Sequence, residues 1–240
     1  MKYIKFVNFL FWEFRYRARK WIWDIAAKHS KIDGVALMFH HVTDEYVKIN
    51  ESCKCKVGIF EKVINSVINE GRKFVNIDDM MDIIKERRKG KFAIMTFDDV
   101  PDNFYSNAYP ILKRMKIPFV LFVTTSFFDK PGFLSKEQVI ELDKDELCTI
   151  GAHTLTHPML RNVSNSKEEL EVSKKILEEI LGHTIEYMAY PFGRQTSISH
   201  RIMRETKKAG YRCSFGTIQS PISDLSSRSL FFLPRIVMNK

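Results

Sequence analysis

Apolar residues recur in two rhythms along this chain. Near the amino terminus Tyr3, Ile4, Val7, Phe11, Phe14, Ala18, Trp21, Ile22 and Ile25 return at steps of three and four. That spacing predicts a helix with one apolar stripe. Trp12, Tyr16, Trp23 and a cluster of Arg and Lys fall on its flanks. From Gly34 the rhythm changes. Short apolar runs at Gly34–His40, Phe74–Ile77, Lys91–Phe97, Pro118–Thr124, Glu146–His153, Thr184–Tyr190, Tyr211–Thr217 and Phe231–Val237 are predicted strands. Between them, helical spacing predicts helices around Phe60–Ile68, Met80–Arg88, Asn107–Lys116, Ser135–Leu142, Ser166–Leu181 and Ser199–Ala209. Strands alternating with helices predict an α/β fold, its parallel sheet either closed into a barrel or open and doubly wound. In both, chemistry gathers at the carboxyl ends of the strands.

Composition narrows the class. At 240 residues, 45% hydrophobic and 28% charged, this is a globular chain of one large domain or at most two small ones. A disordered tail protein and a disulfide miniprotein are excluded, and no uncharged run reaches the length of a spanning helix. The net charge of +9 is concentrated. Residues 1–31 hold eight basic residues and two acids, a net of +6, which leaves the body at only +3. The expected division is therefore a basic amphipathic helix at 1–31 and a globular α/β domain at 32–240. A basic helix with interfacial aromatics fits contact with an anionic membrane. It also fits a helix packed on the domain with its stripe buried, or one that holds a second subunit; amphipathicity does not choose. Local charge without a recognised module argues against nucleic acid as a partner. Cys53, Cys55, Cys148 and Cys213 match neither a disulfide framework nor a zinc finger. With no secretory signal pattern, the expected location is cytoplasmic, peripheral at the inner face of a membrane.

Polar residues fall where the predicted strands end. Asp98 and Asp99 follow one strand, His153 and His157 another, and His40 and His41 end the first. Tyr190-Pro191-Phe192-Gly193 ends a fourth. An apolar strand running into two carboxylates must open into a polar mouth, because buried charge is costly. Histidines four apart can face one metal if their segment makes a helical turn. Either Asp can complete the set, and the other can then take a proton from water. Two His and one carboxylate leave coordination positions open, the catalytic pattern. Asp78-Asp79 reads as a helix N-cap, His29, His183 and His200 as surface residues, and Phe127-Phe128 as core.

Taken together, Thr96–Asp99 (TFDD), His153–His157 (HTLTH) and Tyr190–Gly193 (YPFG) resemble the polysaccharide deacetylases of carbohydrate esterase family 4. Leu37–Val42 (LMFHHV) and Leu233–Ile236 (LPRI) are similar to motifs of the branch containing poly-N-acetylglucosamine deacetylases. The resemblance implies a distorted (β/α) barrel of about seven strands. It also implies metal-dependent hydrolysis of an N-acetyl group from an acetamido sugar in a polysaccharide, oligosaccharide or lipid-linked glycan. By the same resemblance Asp98 is the base and His40 the acid. Asp99, His153 and His157 bind a divalent metal, Zn²⁺ foremost, with Co²⁺, Ni²⁺ and Mn²⁺ as alternatives. The Phe192 N–H, beside Tyr190, meets the oxyanion or substrate, and Arg235 orients Asp98. Where relatives usually carry Gly after the Asp pair, this chain has Val100-Pro101. That departure keeps open a second expectation, a catalytically inactive relative that binds glycans.

Overall fold

The computed structural model of the protein describes residues 16–48, 51–194 and 196–239. In chain order it contains α1 (residues 16–28), β1 (Ile32–Phe39), β2 (His41–Val42), β3 (Lys54–Cys55), α2 (Val57–Asn69), β4 (Lys73–Phe74), α3 (Ile77–Glu86) and β5 (Gly90–Asp98). There follow α4 (Tyr109–Met115), β6 (Phe119–Val123), α5 (Lys136–Asp143), β7 (Cys148–Ala152), α6 (Ser166–Leu181), β8 (Tyr187–Ala189), α7 (His200–Lys208), β9 (Cys213–Phe215) and β10 (Ile236–Val237).

Seven strands lie in the order β10-β1-β5-β6-β7-β8-β9, every neighbouring pair parallel. The curl closes through the carboxyl-terminal segment. Leu233 bridges Phe215 of β9, and Ile236 then pairs with Leu37 of β1. This is the distorted barrel expected from the motifs. Short β2 and β3, which no sequence pattern announced, pair with each other beside its mouth.

Period two along each strand sorts the side chains. On β5, Ala93, Met95 and Phe97 join the layer shared with the helices, where Phe60, Ile64 and Val67 of α2 are buried. Phe92 and Ile94 face the barrel interior with Ala36, Val120, Phe122 and Phe215. The same inward register continues through Thr96 to Asp98, so the carboxylate surfaces at the top of the interior stack. The ring of Phe92 lies so close across β1 that a Cβ on Gly34 would stand 2.4 Å from it. Met80, Met81 and Ile84 of α3 complete the interior cluster at its lower end.

Three boundaries differ from expectation for local reasons. Phe74–Ile77 is not one strand, because Asn76 caps α3 by accepting the Asp79 N–H at 2.8 Å. Asp78 and Asp79 are therefore first-turn acids, favourable to the helix dipole, and not the cap. The Asn107–Lys116 helix starts as a wide π turn at Phe104–Ala108, ahead of Pro110, which has no N–H to close an ordinary turn. The last strand shrinks to Ile236–Val237 because Pro234 has no ladder donor.

Helix α1 packs on the body by a residue outside its apolar stripe. Trp23, placed on the flank by spacing, is the buried residue, whereas Trp21, Ile22 and Ile25 of the expected stripe are exposed. Residues 1–15, which carry the rest of that stripe, lie outside the described residues.

Candidate active site

The strand ends open into a cavity of about 560 Å³, within the usual range for small-ligand sites. Asp98, Asp99, His153, His157 and His40 all line it.

Asp98 is buried and held by the fully buried Arg235. Nη1 donates to Oδ1 at 2.6 Å and Nη2 to Oδ2 at 2.7 Å. The rest of the guanidinium is occupied as well. Nε donates to the Gly216 carbonyl at 3.1 Å and Nη1 to Thr96 Oγ1 at 3.3 Å. Its Cζ lies 5.6 Å from the centre of the Phe122 ring and 5.7 Å from that of Phe215. Burial raises the Asp98 pKa, but the Arg235 charge, His153 and the Arg235 hydrogen bonds outweigh it and hold the carboxyl at about 2. The group is ionised at neutral pH.

Asp99, His153 and His157 bring one ligand atom each within 4.8 Å of one another. His157 Nε2 is 3.4 Å and His153 Nε2 3.8 Å from Asp99 Oδ1. Donors about 2.0–2.2 Å from a tetrahedral ion stand about 3.3–3.6 Å apart, so the trio fits a divalent metal. The chemistry of the donors agrees. His153 Nδ1 bonds the Ala189 carbonyl at 2.8 Å, which makes Nδ1 the protonated nitrogen and leaves the Nε2 lone pair facing the carboxylates. Burial pushes the His153 pKa down to about 4, although Asp98 and Asp99 pull it upward. The imidazole is thus neutral, as a ligand must be.

The segment that carries the two histidines makes no helical turn. The segment is a loop that reverses through left-handed Thr154 (φ 69°) and His157 (φ 62°), with Thr154 Oγ1 accepting the His157 N–H at 3.1 Å. Left-handed backbone concentrates here. Asp99 (φ 61°), Val100 (φ 52°) and Phe192 (φ 61°) share it. Such strain, of order 1–3 kcal/mol per residue, is tolerated where the surroundings dictate the geometry. Val100 therefore adopts the backbone that a glycine would take freely, and its buried side chain packs in the core.

His40 lines the cavity, but His41 does not. The next position along the chain points the other way, and His41 Nδ1 meets Asn103 Nδ2 at 2.8 Å. Phe192 is an exposed rim residue whose ring lies 5.0 Å from that of His157. Its turn is pinned by Thr217, whose Oγ1 donates to the Phe192 carbonyl at 3.1 Å and whose N–H donates to that of Gly193 at 2.8 Å. A Cβ on Gly193 would lie 2.5 Å from the Thr217 methyl, so glycine is required there.

Tyr190 lines the cavity, but its hydroxyl is committed elsewhere. It receives Ser214 Oγ at 2.8 Å and lies 3.1 Å from both Thr206 Oγ1 and the Phe231 carbonyl. Tyr190→Phe is accordingly expected to cost about 1–2 kcal/mol in chemical denaturation and to leave kcat unchanged. A large fall in kcat with intact stability would return the hydroxyl to the substrate.

Other wall residues carried no usable signal. Cys53 reaches the cavity from the loop before β3, although its C-x-C pair matches no metal motif. All four cysteines are free thiols. Phe127, expected in the core, is half-buried with its ring 6.0 Å from that of His157. Asp78 pairs with Arg212, neither of which lines the cavity, and His183 pairs with Asp143 at the surface.

Comparison with known proteins places this geometry. The chain is 27% identical over 201 residues to the poly-beta-1,6-N-acetyl-D-glucosamine N-deacetylase of Staphylococcus aureus, covering 75% of this chain and 66% of that protein. It thus spans just under two thirds of that relative's length. Among solved structures, the Streptococcus pyogenes deacetylase PplD in complex with acetate superposes with a TM-score of 0.77 at 23% identity, over 87% of this chain and 93% of that one. IcaB from Ammonifex degensii gives 0.74 at 23% identity, over 86% and 92%. These two show the fold. The polysaccharide deacetylase family model matches residues 85–214, more than half the sequence, which takes in Asp98 through Phe192 and leaves His40 and Arg235 outside. On that match the chain belongs to the polysaccharide deacetylase family.

Proposed function

We propose that this protein is a metal-dependent N-deacetylase, removing the N-acetyl group from an acetamido sugar of a polysaccharide, oligosaccharide or lipid-linked glycan. The observation that carries the reading is the Asp99–His153–His157 trio set beside an ionised, Arg-held Asp98 in one cavity. A divalent cation, Zn²⁺ foremost, would supply Lewis-acid polarisation and acidify water. The remaining work falls to side chains. Asp98 accepts the proton of the water that adds to the acetyl carbonyl. Its low pKa makes it a weak base that is always ready, suited to a water already made acidic. The Phe192 N–H stabilises the developing oxyanion. His40 protonates the departing nitrogen as the C–N bond breaks, giving acetate and the amino sugar.

The binding-only alternative drew on Val100-Pro101. Val100 takes the left-handed turn, and Asp98 and Asp99 stay on the cavity wall, which supports catalysis. The test is acetate release from β-1,6- and β-1,4-linked N-acetylglucosamine oligomers. His40→Gln is expected to lower kcat by about 10²–10⁴ with little change in KM, and Asp98→Asn by at least as much. An Asp98→Asn protein as active as wild type would remove the assigned base. Oligomer binding without acetate release by the metal-loaded wild type would favour the glycan-binding relative.

A further inference from the structure

Helix α1 presents two apolar faces, and the body covers one. Trp23 is only 5% exposed and belongs to the main core. Around it, Asp24 Oδ1 accepts from Ser220 Oγ at 2.7 Å, Ser30 Oγ accepts the Asp224 N–H at 2.8 Å, and the Arg19 guanidinium lies 5.8 Å from the Phe232 ring. The helix is firmly docked. Its other face holds Trp21, 65% exposed, Ile22, 51%, and Ile25, 38%. Among the described residues these three are half of the exposed large hydrophobics, and they fall within five positions. Helical spacing sets exposed Arg17 one turn before Trp21 and exposed Lys28 one turn after Ile25, so the apolar patch has a cation at each end.

We propose that this outward face of α1 docks on an anionic lipid surface. Charge selects the occupant. Residues 1–31 carry a net +6, against +3 for the rest of the chain, and the patch sits inside that segment. A second copy would bring two such segments face to face, which repulsion opposes. An anionic bilayer attracts them and offers the apolar boundary in which Trp and Ile are stable. The contacts also set the pose. Ile222 bridges Gly34 near the start of β1, whereas Thr217 lines the cavity, so residues 217–222 run from the mouth towards the opposite end. α1 runs in the same direction beside them, Asp24 at Ser220 and Ser30 at Asp224. Its amino-terminal end therefore points towards the cavity end of the barrel, and a bilayer along α1 lies alongside the mouth.

The inference does not depend on the deacetylase chemistry, and its test reads binding alone. The full chain is floated with vesicles of phosphatidylcholine and with equimolar phosphatidylcholine and phosphatidylglycerol. Wild type is expected to bind only the anionic vesicles, less so as salt rises. Trp21→Ser/Ile22→Ser/Ile25→Ser should weaken binding at least about tenfold, with unchanged circular dichroism and thermal midpoint, since the three side chains face outward. Lys28→Gln should weaken it less. Anionic vesicles bound equally well by the triple variant would overturn the proposal, as would no binding by wild type. A wild-type dimer in gel filtration that the triple variant converts to monomer would assign the patch to a second copy instead.

Discussion

Arg235→Gln is expected to unfold the protein more readily than almost any other single change and to abolish acetate release. The guanidinium is fully buried, and its fork to Asp98 spans only 2.6 and 2.7 Å. Without it the carboxylate keeps its burial and loses its counter-charge. Breaking a buried pair from one side typically costs about 3–5 kcal/mol, which in a chain of this size lowers Tm by about 6–20 °C. The pH dependence has a definite sign. In wild type the Asp98 pKa lies at about 2, below the ordinary value near 3.9. The pair thus contributes stability above about pH 4, lost as pH falls towards 2. The stability gap between wild type and Arg235→Gln should narrow over that window. In the variant burial is unopposed by Arg235, so the Asp98 pKa rises above its wild-type value. Asp98→Asn/Arg235→Gln removes the orphaned charge, and should recover part of the stability and none of the activity. That split separates the loss of a base from the loss of a fold. Arg235→Gln with wild-type Tm and kcat would show that the fork does neither job.

The strands and the site residues were legible for the same reason. A barrel strand covered on both faces must be apolar until it leaves the core, so the first charged residues mark its mouth. Asp98, His153 and His40 announce themselves in this way. Lateral distance was not legible. Nothing near Arg235 in sequence says that it lies beside Asp98, because that contact depends on Leu233 and Ile236 closing the sheet. Only the motif resemblance anticipated it. The left-handed turns at Val100 and His157 were hidden too, since tertiary packing imposes conformations against local preference. For α1, periodicity identified an apolar stripe and left open what covers it; the body covers Trp23 and not Trp21, Ile22 or Ile25. Trp23 joins the main core of the body, and spacing along a helix carries no information about its neighbour.

The second large effect is expected at His153. Reconstituted wild type should hold close to one Zn²⁺ or Co²⁺ per chain by elemental analysis, and His153→Ala less than about a tenth of that, since two protein ligands do not make a catalytic site. His153 is the decisive position because two separate features prepare it. The Ala189 carbonyl, 2.8 Å from Nδ1, fixes which nitrogen faces inward, and burial keeps the ring neutral down to about pH 4. A ligand oriented before the ion arrives loses little freedom on binding it. His157, partly exposed on a loop, has less of this support, so His157→Ala should retain more metal than His153→Ala. Ligand binding stabilises the native state by about 2.7 kcal/mol at a hundredfold excess over Kd. A chelator should therefore lower the Tm of wild type and leave that of His153→Ala unmoved. Folded wild type that takes up neither ion would mean that the barrel keeps the motif without the centre. Asp98 and Arg235 would then be a structural pair at the floor of a glycan-binding cavity, and the Arg235→Gln prediction would survive in its stability arm alone.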